Sequence, residues 1–134
     1  MINSFKYIYE KIRCAESTGA RCVGIEVDQE RCEQAQININ SSSVSSRCQI
    51  ICGNALEYDY SNGTAFFLYL VPRGLKLILP LIRSQCISNF RIVTYMSPLP
   101  NETPAQMCKV STAHQPGAEW PLFLYHFNCN SQND

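Results

Sequence analysis

Two acidic residues close a short apolar segment near the start of the chain. Glu26 lies near the end of residues 21–27, a run rich in strand-forming residues. Asp28 follows this run directly and is suited to cap a following helix. Open α/β sheets bind ligands at the carboxyl ends of their parallel strands. A carboxylate there can accept both hydroxyls of a ribose, so Glu26 is a candidate nucleotide-binding residue. The alternative is a surface glutamate at a strand end.

Further polar residues follow a second apolar run. Asn54 comes directly after Gly53, which ends the strand predicted for residues 48–52, and its amide can both donate and accept hydrogen bonds. An ordinary strand-ending asparagine is equally compatible with this position. His114 is a candidate general base because imidazole titrates near neutrality, although a lone loop histidine is more often solvated and idle. Glu57 and Asp59 are acidic candidates for the same role, and no spacing singles them out.

The chain contains eight cysteines. No two form a Cys-x-x-Cys pair, and neither histidine lies at zinc-finger spacing from them, so the sequence predicts no metal site. Without a secretory signal segment, a disulfide framework is also disfavoured. We therefore expect reduced and mostly buried thiols that behave as small hydrophobic residues.

The elements that must position these residues alternate along the chain. Apolar periodicity and turn residues predict helices over 4–18, 29–40 and 72–84, and strands over 21–27, 48–52, 64–71, 90–95, 107–111 and 121–127. Residues 64–71 are continuously apolar, as in a central strand covered on both faces, and Pro72 suits a helix start. Pro80 is expected to kink that helix. The pattern predicts an α/β fold whose sheet is mostly parallel with an antiparallel C-terminal edge.

Length and composition limit the classes of protein that fit. The 134 residues suffice for a single domain, residues 1–134, and 46% of them are hydrophobic while the formal net charge is zero. This balance gives no electrostatic support for nucleic-acid binding. The longest apolar run is too short to cross a membrane and no export signal is visible, so an intracellular, cytoplasmic location is expected.

Three segments together resemble a known family. Gly-Ala-Arg-Cys-Val-Gly-Ile-Glu-Val-Asp over residues 19–28, Gly-Asn-Ala-Leu over 53–56 and Ala-Phe-Phe-Leu-Tyr-Leu-Val-Pro-Arg-Gly-Leu-Lys over 65–76 are similar to successive motifs of the class I S-adenosylmethionine-dependent methyltransferases. The resemblance covers nearly all of residues 18–127. Within the family, the third segment looks like a subgroup of small protein-lysine methyltransferases.

The resemblance implies S-adenosylmethionine as cofactor, a protein or small molecule as methyl acceptor, and no metal. It implies that Glu26, followed by Val27, holds the ribose, and that Asn54 and Ala55 contact the adenine. The implied roles of the third segment are cofactor binding for Leu70 and shaping of the transfer site for Tyr69 and Pro72. Aromatic residues of such a run can equally serve as core packing.

One departure from the family pattern affects the expected activity. The family begins with a strand and a Gly-x-Gly turn that admits the methionine part of the cofactor, and the 134 residues contain no Gly-x-Gly. We therefore expect an N-terminally truncated, Rossmann-like methyltransferase domain that lacks its first central strand and binds the cofactor weakly. The alternative is a catalytically inactive, partner-binding remnant of the fold. A nicotinamide-dependent dehydrogenase would also require the missing glycine turn.

Overall fold

The computed structural model describes residues 8–112 and 115–129, and backbone contacts divide the chain into two units, Met1–Tyr58 and Asp59–Asp134. The first unit contains helix α1 (Ile8–Thr18), strand β1 (Cys22–Glu26), helix α2 (Gln29–Asn40) and strand β2 (Cys48–Cys52). The sequence predicted the bounds of α2 and β2 correctly. For α1, only the part from residue 8 lies within the described residues.

Strands β1 and β2 form a parallel pair whose register runs from Cys22 opposite Cys48 to Glu26 opposite Cys52. Two parallel strands need a crossover connection, which α2 supplies. Asp28 caps α2 as predicted: its backbone is extended, and its Oδ1 accepts a hydrogen bond of 3.0 Å from the Arg31 amide. The turn from β1 into α2 is thus fixed by side-chain chemistry as well as by packing.

The core of the first unit lies where the two helices meet β2. Ile12 and Ala15 of α1 pack with residues of α2 and of the loop and strand that follow it, a cluster completed by Ala35, Ile39, Val44 and Cys48. Arg47 also donates a hydrogen bond of 3.0 Å from Nη2 to the carbonyl oxygen of Ala15. This bond connects the residue that precedes β2 to the last part of α1.

The second unit is built on a four-stranded sheet. Its elements in chain order are β3 (Ala65–Leu68), α3 (Pro72–Gln85), β4 (Phe90–Tyr95), β5 (Gln106–Thr112) and β6 (Gln115–Phe127). The strand order is β3-β4-β6-β5, with β3 parallel to β4 and the other two pairs antiparallel. The predicted combination of parallel strands with an antiparallel C-terminal edge is confirmed.

Strand β3 differs from the prediction in length and position. It ends at Leu68 rather than at Val71, and it is an edge strand of the four-stranded sheet rather than a central strand. Phe67 is consequently 40% exposed instead of being covered. The apolar run continues past the strand because Leu70 is buried in the connection to α3, so hydrophobicity alone overestimated the paired segment.

Helix α3 begins at Pro72, as predicted, and continues through Pro80 to Gln85. A proline is accepted at the first helical position because the amide it lacks would have no partner within the helix. The apolar face predicted for this helix was Leu75, Leu77, Ile78, Leu81 and Ile82; Leu75, Ile78 and Ile82 are buried together with Leu79, whereas Leu77 is 54% exposed. Strand β6 is longer than expected, since its pairing with β5 begins well before Pro121.

The cysteines are all free thiols, as expected, but most of them are not buried. Only Cys32, Cys48 and Cys86 are buried, whereas Cys14, Cys52 and Cys108 are exposed and the remaining two are intermediate. The expectation of mostly buried thiols was therefore wrong. Composition cannot distinguish the two environments, because a single strand, β2, holds both the buried Cys48 and the exposed Cys52.

Candidate functional site

The candidate site of the first unit lies at the carboxyl ends of β1 and β2. Glu26 is the last residue of β1 and is registered opposite Cys52, the last residue of β2. The Gly53 amide donates a hydrogen bond of 2.8 Å to the Glu26 carbonyl, so the backbone contact between the two strands extends to the residue before Asn54. The fold thus brings two of the sequence-predicted residues, Glu26 and Asn54, to one edge, as expected for parallel strands.

The Glu26 side chain is buried, with the residue only 6% exposed. Its Oε1 accepts a hydrogen bond of 3.1 Å from the Asp28 amide, which orients the carboxylate toward the turn between β1 and α2. A carboxylate has about four acceptor positions, so this bond is compatible with further bonds from the hydroxyls of a sugar. Val27, which follows it, is 51% exposed.

Asn54 caps the short 3-10 helix Ala55–Glu57. Its Oδ1 accepts a hydrogen bond of 2.9 Å from the Leu56 amide. This bond accounts for an asparagine at that position without any ligand, as the alternative interpretation of the sequence held. The residue is exposed, and its amide nitrogen carries two donors that suit a heterocyclic ring edge. Ala55 is buried.

The second unit carries the other predicted residues. Tyr69 and Leu70 lie between β3 and α3, and Pro72 is the first residue of α3. The Tyr69 ring contacts that of Tyr95, with 5.1 Å between ring centroids and 57° between ring planes. Leu70 is buried, whereas Pro72 is exposed. These three residues and the Glu26 edge belong to different units of the chain.

Sequence reasoning missed two residues at the end of β4. Leu68 is registered opposite Thr94, so Tyr69 and Tyr95 follow paired residues of parallel strands. Thr94 is fully buried, and among the described residues its Oγ1 has no hydrogen-bond partner. The sequence does contain the relevant signal, because residues 90–95 were predicted as a strand and its carboxyl end lies at the same sheet edge as that of β3.

The candidate general bases gain no support from the structure. His114 lies outside the described residues. The backbone amide and side chain of Ser61 donate hydrogen bonds that hold the pKa of the Asp59 carboxyl below its usual value. A lowered pKa makes a carboxylate a weaker base at neutral pH, opposite to what general-base catalysis requires.

In residues 8–112 and 115–129, no three side chains among histidine, cysteine, aspartate and glutamate are arranged to hold a metal ion. No helix in the same part of the chain has the length and apolar character needed to span a membrane.

Comparison with known proteins finds similarity in sequence and in structure, while no model of a protein family matches the chain. A protein-lysine N-methyltransferase from Saccharolobus islandicus (strain REY15A) is 27% identical over 90 residues. The alignment covers 67% of this chain and 56% of that protein. The chain therefore matches little more than half the length of this relative.

Solved structures show the fold. An RNA methyltransferase from Salinibacter ruber, crystallised with S-adenosyl-L-homocysteine, is similar with a TM-score of 0.76 and 23% identity, over 92% of this chain and 76% of that one. The putative methyltransferase yhhF from Escherichia coli is similar with a TM-score of 0.55 and 14% identity. The match covers 94% of this chain and 86% of the yhhF chain. The chain has the Rossmann-like fold of class I S-adenosylmethionine-dependent methyltransferases. The fold expected from the motifs is thus confirmed.

Proposed function

We propose that this chain is a methyltransferase domain that uses S-adenosylmethionine. The observation that carries the proposal is the position of the buried Glu26 carboxylate at the joined carboxyl ends of β1 and β2, in a fold shared with a methyltransferase crystallised with the demethylated cofactor. The residues present fit the adenosine half of the cofactor, since a carboxylate suits ribose hydroxyls and the Asn54 amide suits a base edge.

The proposed roles follow that division. Glu26 accepts the ribose hydroxyls beside Val27, and Asn54 and Ala55 border the adenine. Leu70 contributes a buried apolar contact. Further site residues in the second unit are Tyr69 and Pro72, which shape the surroundings of the transferred methyl. The bound cofactor supplies the electrophilic methyl group, and the chain's contribution to rate is alignment of the acceptor atom with it.

For the methyl acceptor, we propose a protein side chain, with lysine as the first candidate, or a small molecule. The relative named as a protein-lysine N-methyltransferase supports this choice. The formal net charge of zero gives no attraction for a polyanion. Tritium transfer from labelled cofactor to histone-like lysine peptides, to a mixture of metabolites and to RNA separates the possibilities, and labelled RNA alone would overturn the proposed acceptor class.

The strength of cofactor binding is a separate proposal. No Gly-x-Gly turn occurs in the sequence, so the methionine half lacks the close backbone approach that such a turn provides. We therefore expect weak binding and negligible transfer by these 134 residues alone.

A second candidate function, a partner-binding remnant, is favoured by strand edges: among the described residues, β1 pairs only with β2 and β3 only with β4.

Isothermal titration with S-adenosylmethionine tests these proposals. The chain as given should bind weakly, and a version extended by an upstream strand with a Gly-x-Gly turn should bind more tightly. In the extended version, Glu26→Ala should abolish measurable binding because the ribose loses its acceptor. Glu30→Ala is the matched control, as Glu30 is an exposed acidic residue in the first turn of α2.

Each outcome of the titration is informative. Equal affinity of the Glu26→Ala and Glu30→Ala variants would contradict the ribose assignment. Tight binding by the chain as given would contradict the expected weakness. An extended version that never binds the cofactor would favour the partner-binding function.

A further inference from the structure

Two thiols meet beside the Glu26 backbone. Cys32 lies in the first turn of α2, and Cys52 ends β2 directly opposite Glu26 in the strand register. The Cys32 Sγ also lies 3.2 Å from the Glu26 carbonyl oxygen, to which it donates, and the Cys52 Sγ donates to Gln29 Oε1 at 3.3 Å. Both sulfurs are therefore held by fixed partners in the same unit.

The two thiols differ in their access to solvent. Cys52 is exposed, whereas Cys32 is only 5% exposed. Burial, followed by the neighbouring Cys52 side chain, raises the pKa of the Cys32 thiol to about 12. An oxidant in solution therefore reacts with the Cys52 thiol first. The Cys32 thiol stays protonated until the Cys52 sulfur has been oxidised.

We propose that Cys52 and Cys32 form a reversible intramolecular disulfide when the protein is exposed to a peroxide. The Cys52 thiolate attacks one oxygen of hydrogen peroxide, so that an S–O bond forms and the O–O bond breaks. The hydroxide that leaves becomes water with the thiol's proton. The product at Cys52 is a sulfenic acid.

The second step closes the disulfide. The Cys32 sulfur attacks the Cys52 sulfur, so that an S–S bond forms and the S–O bond breaks, and hydroxide leaves as water with the Cys32 proton. Both sulfurs are oxidised and one peroxide is reduced to two waters. A dithiol reductant reverses the reaction through two thiol–disulfide exchanges.

The structure offers other thiols as internal comparisons. Cys22 and Cys48 are registered opposite each other on β1 and β2. Cys48 is buried and Cys22 is only partly exposed, so this pair offers an oxidant less access than the exposed Cys52 does. Cys108, on β5, is exposed like Cys52 but has no such partner thiol assigned in the described residues.

Peptide mapping identifies the bond. The full, reduced chain is treated with equimolar hydrogen peroxide, its remaining thiols are alkylated, and it is digested with trypsin without reduction. Cleavage after Arg31, Arg47 and Arg73 places Cys32 in residues 32–47 and Cys52 in residues 48–73. Because Cys48 lies in the second peptide, the experiment is repeated in a Cys48→Ser variant, and fragmentation of the linked peptides locates the sulfur independently.

We expect linked peptides 32–47 and 48–73 in the wild-type chain, in Cys48→Ser and in the matched control Cys108→Ser, and their disappearance with dithiothreitol. In Cys52→Ser the link should be lost, while circular dichroism shows an unchanged fold because the residue is exposed. A link that persists in Cys52→Ser would assign the bond to Cys48 and overturn the proposal. Oxidation of Cys52 to sulfinic acid without any link would overturn it as well.

Discussion

At the scale of single residues, the turn between β1 and α2 depends on two carboxylates with different tasks. Asp28 Oδ1 caps the helix through the Arg31 amide, and Glu26 Oε1 accepts the amide of Asp28 itself. Both bonds use side chains to satisfy amides that have no partner within the helix. The candidate ribose carboxylate is therefore positioned by the same short segment that begins the helix.

Removal of the cap should destabilise the first unit without altering its core. Asp28→Ala leaves the Arg31 amide without its acceptor, and such losses cost about 1 kcal/mol of the free energy of unfolding. Urea unfolding followed by circular dichroism measures the difference. Asp28→Ser, which keeps a capping oxygen, should retain most of the stability, and equal losses in both variants would show that capping is not the cause.

At the scale of elements, a chain of aromatic contacts holds the second unit together. Phe66 of β3 meets Tyr60 and Phe90 edge-on, at 5.7 Å between ring centroids in each pair. Phe90 stacks on Phe127 of β6 at 5.0 Å, and the Arg83 guanidinium lies 5.2 Å from the centre of the Phe127 ring. Three strands and α3 are thus connected through four aromatic rings and one cation.

Phe90→Ala should remove the middle of this chain. Truncation of a buried phenylalanine costs about 3–5 kcal/mol, since the lost contacts are accompanied by a cavity. Phe67→Ala on β3 is the matched control: it removes the same side chain from an exposed position and should cost much less. Chemical denaturation of both variants gives the comparison, and similar losses would contradict the assigned core.

The sequence predicted best the elements whose ends have local chemical causes. Asp28 sets the start of α2, Gly53 follows the end of β2, and Pro72 starts α3. The ends of β3 and β6 depend on which strand lies alongside, and this is set by contacts distant in sequence. The same holds for the candidate site. The position of Glu26 could be predicted from a single strand, whereas the contact of Tyr69 with Tyr95 depends on which strands are neighbours in the sheet.

At the scale of the whole molecule, the thiols provide a readout of the native structure. After denaturation without reductant, all eight cysteines of the reduced chain should react with a thiol reagent, because none is paired in a disulfide. In the native chain, the exposed Cys14, Cys52 and Cys108 should react quickly. Cys32 should be among the slowest, since its burial raises its pKa to about 12 and leaves little thiolate.

Mass spectrometry of briefly alkylated protein assigns the rates to individual cysteines. Rapid modification of Cys32 in the folded chain would contradict its burial and its contacts with Glu26 and Cys52. A denatured count below eight would instead reveal a covalent pairing of thiols.

Within residues 8–112 and 115–129, β1 pairs on one side only, and this affects how fast its amide hydrogens exchange with solvent. The Cys22 amide and the Glu26 carbonyl both bond to the β2 side, and alternation along a strand directs the amides of Val23 and Ile25 the other way. In deuterated water, the amides of Cys22, Gly24 and Glu26 are protected by the β2 ladder, while protection of the other two depends on whatever covers that edge. Exchange at Val23 and Ile25 therefore reports, residue by residue, whether anything has been added to β1.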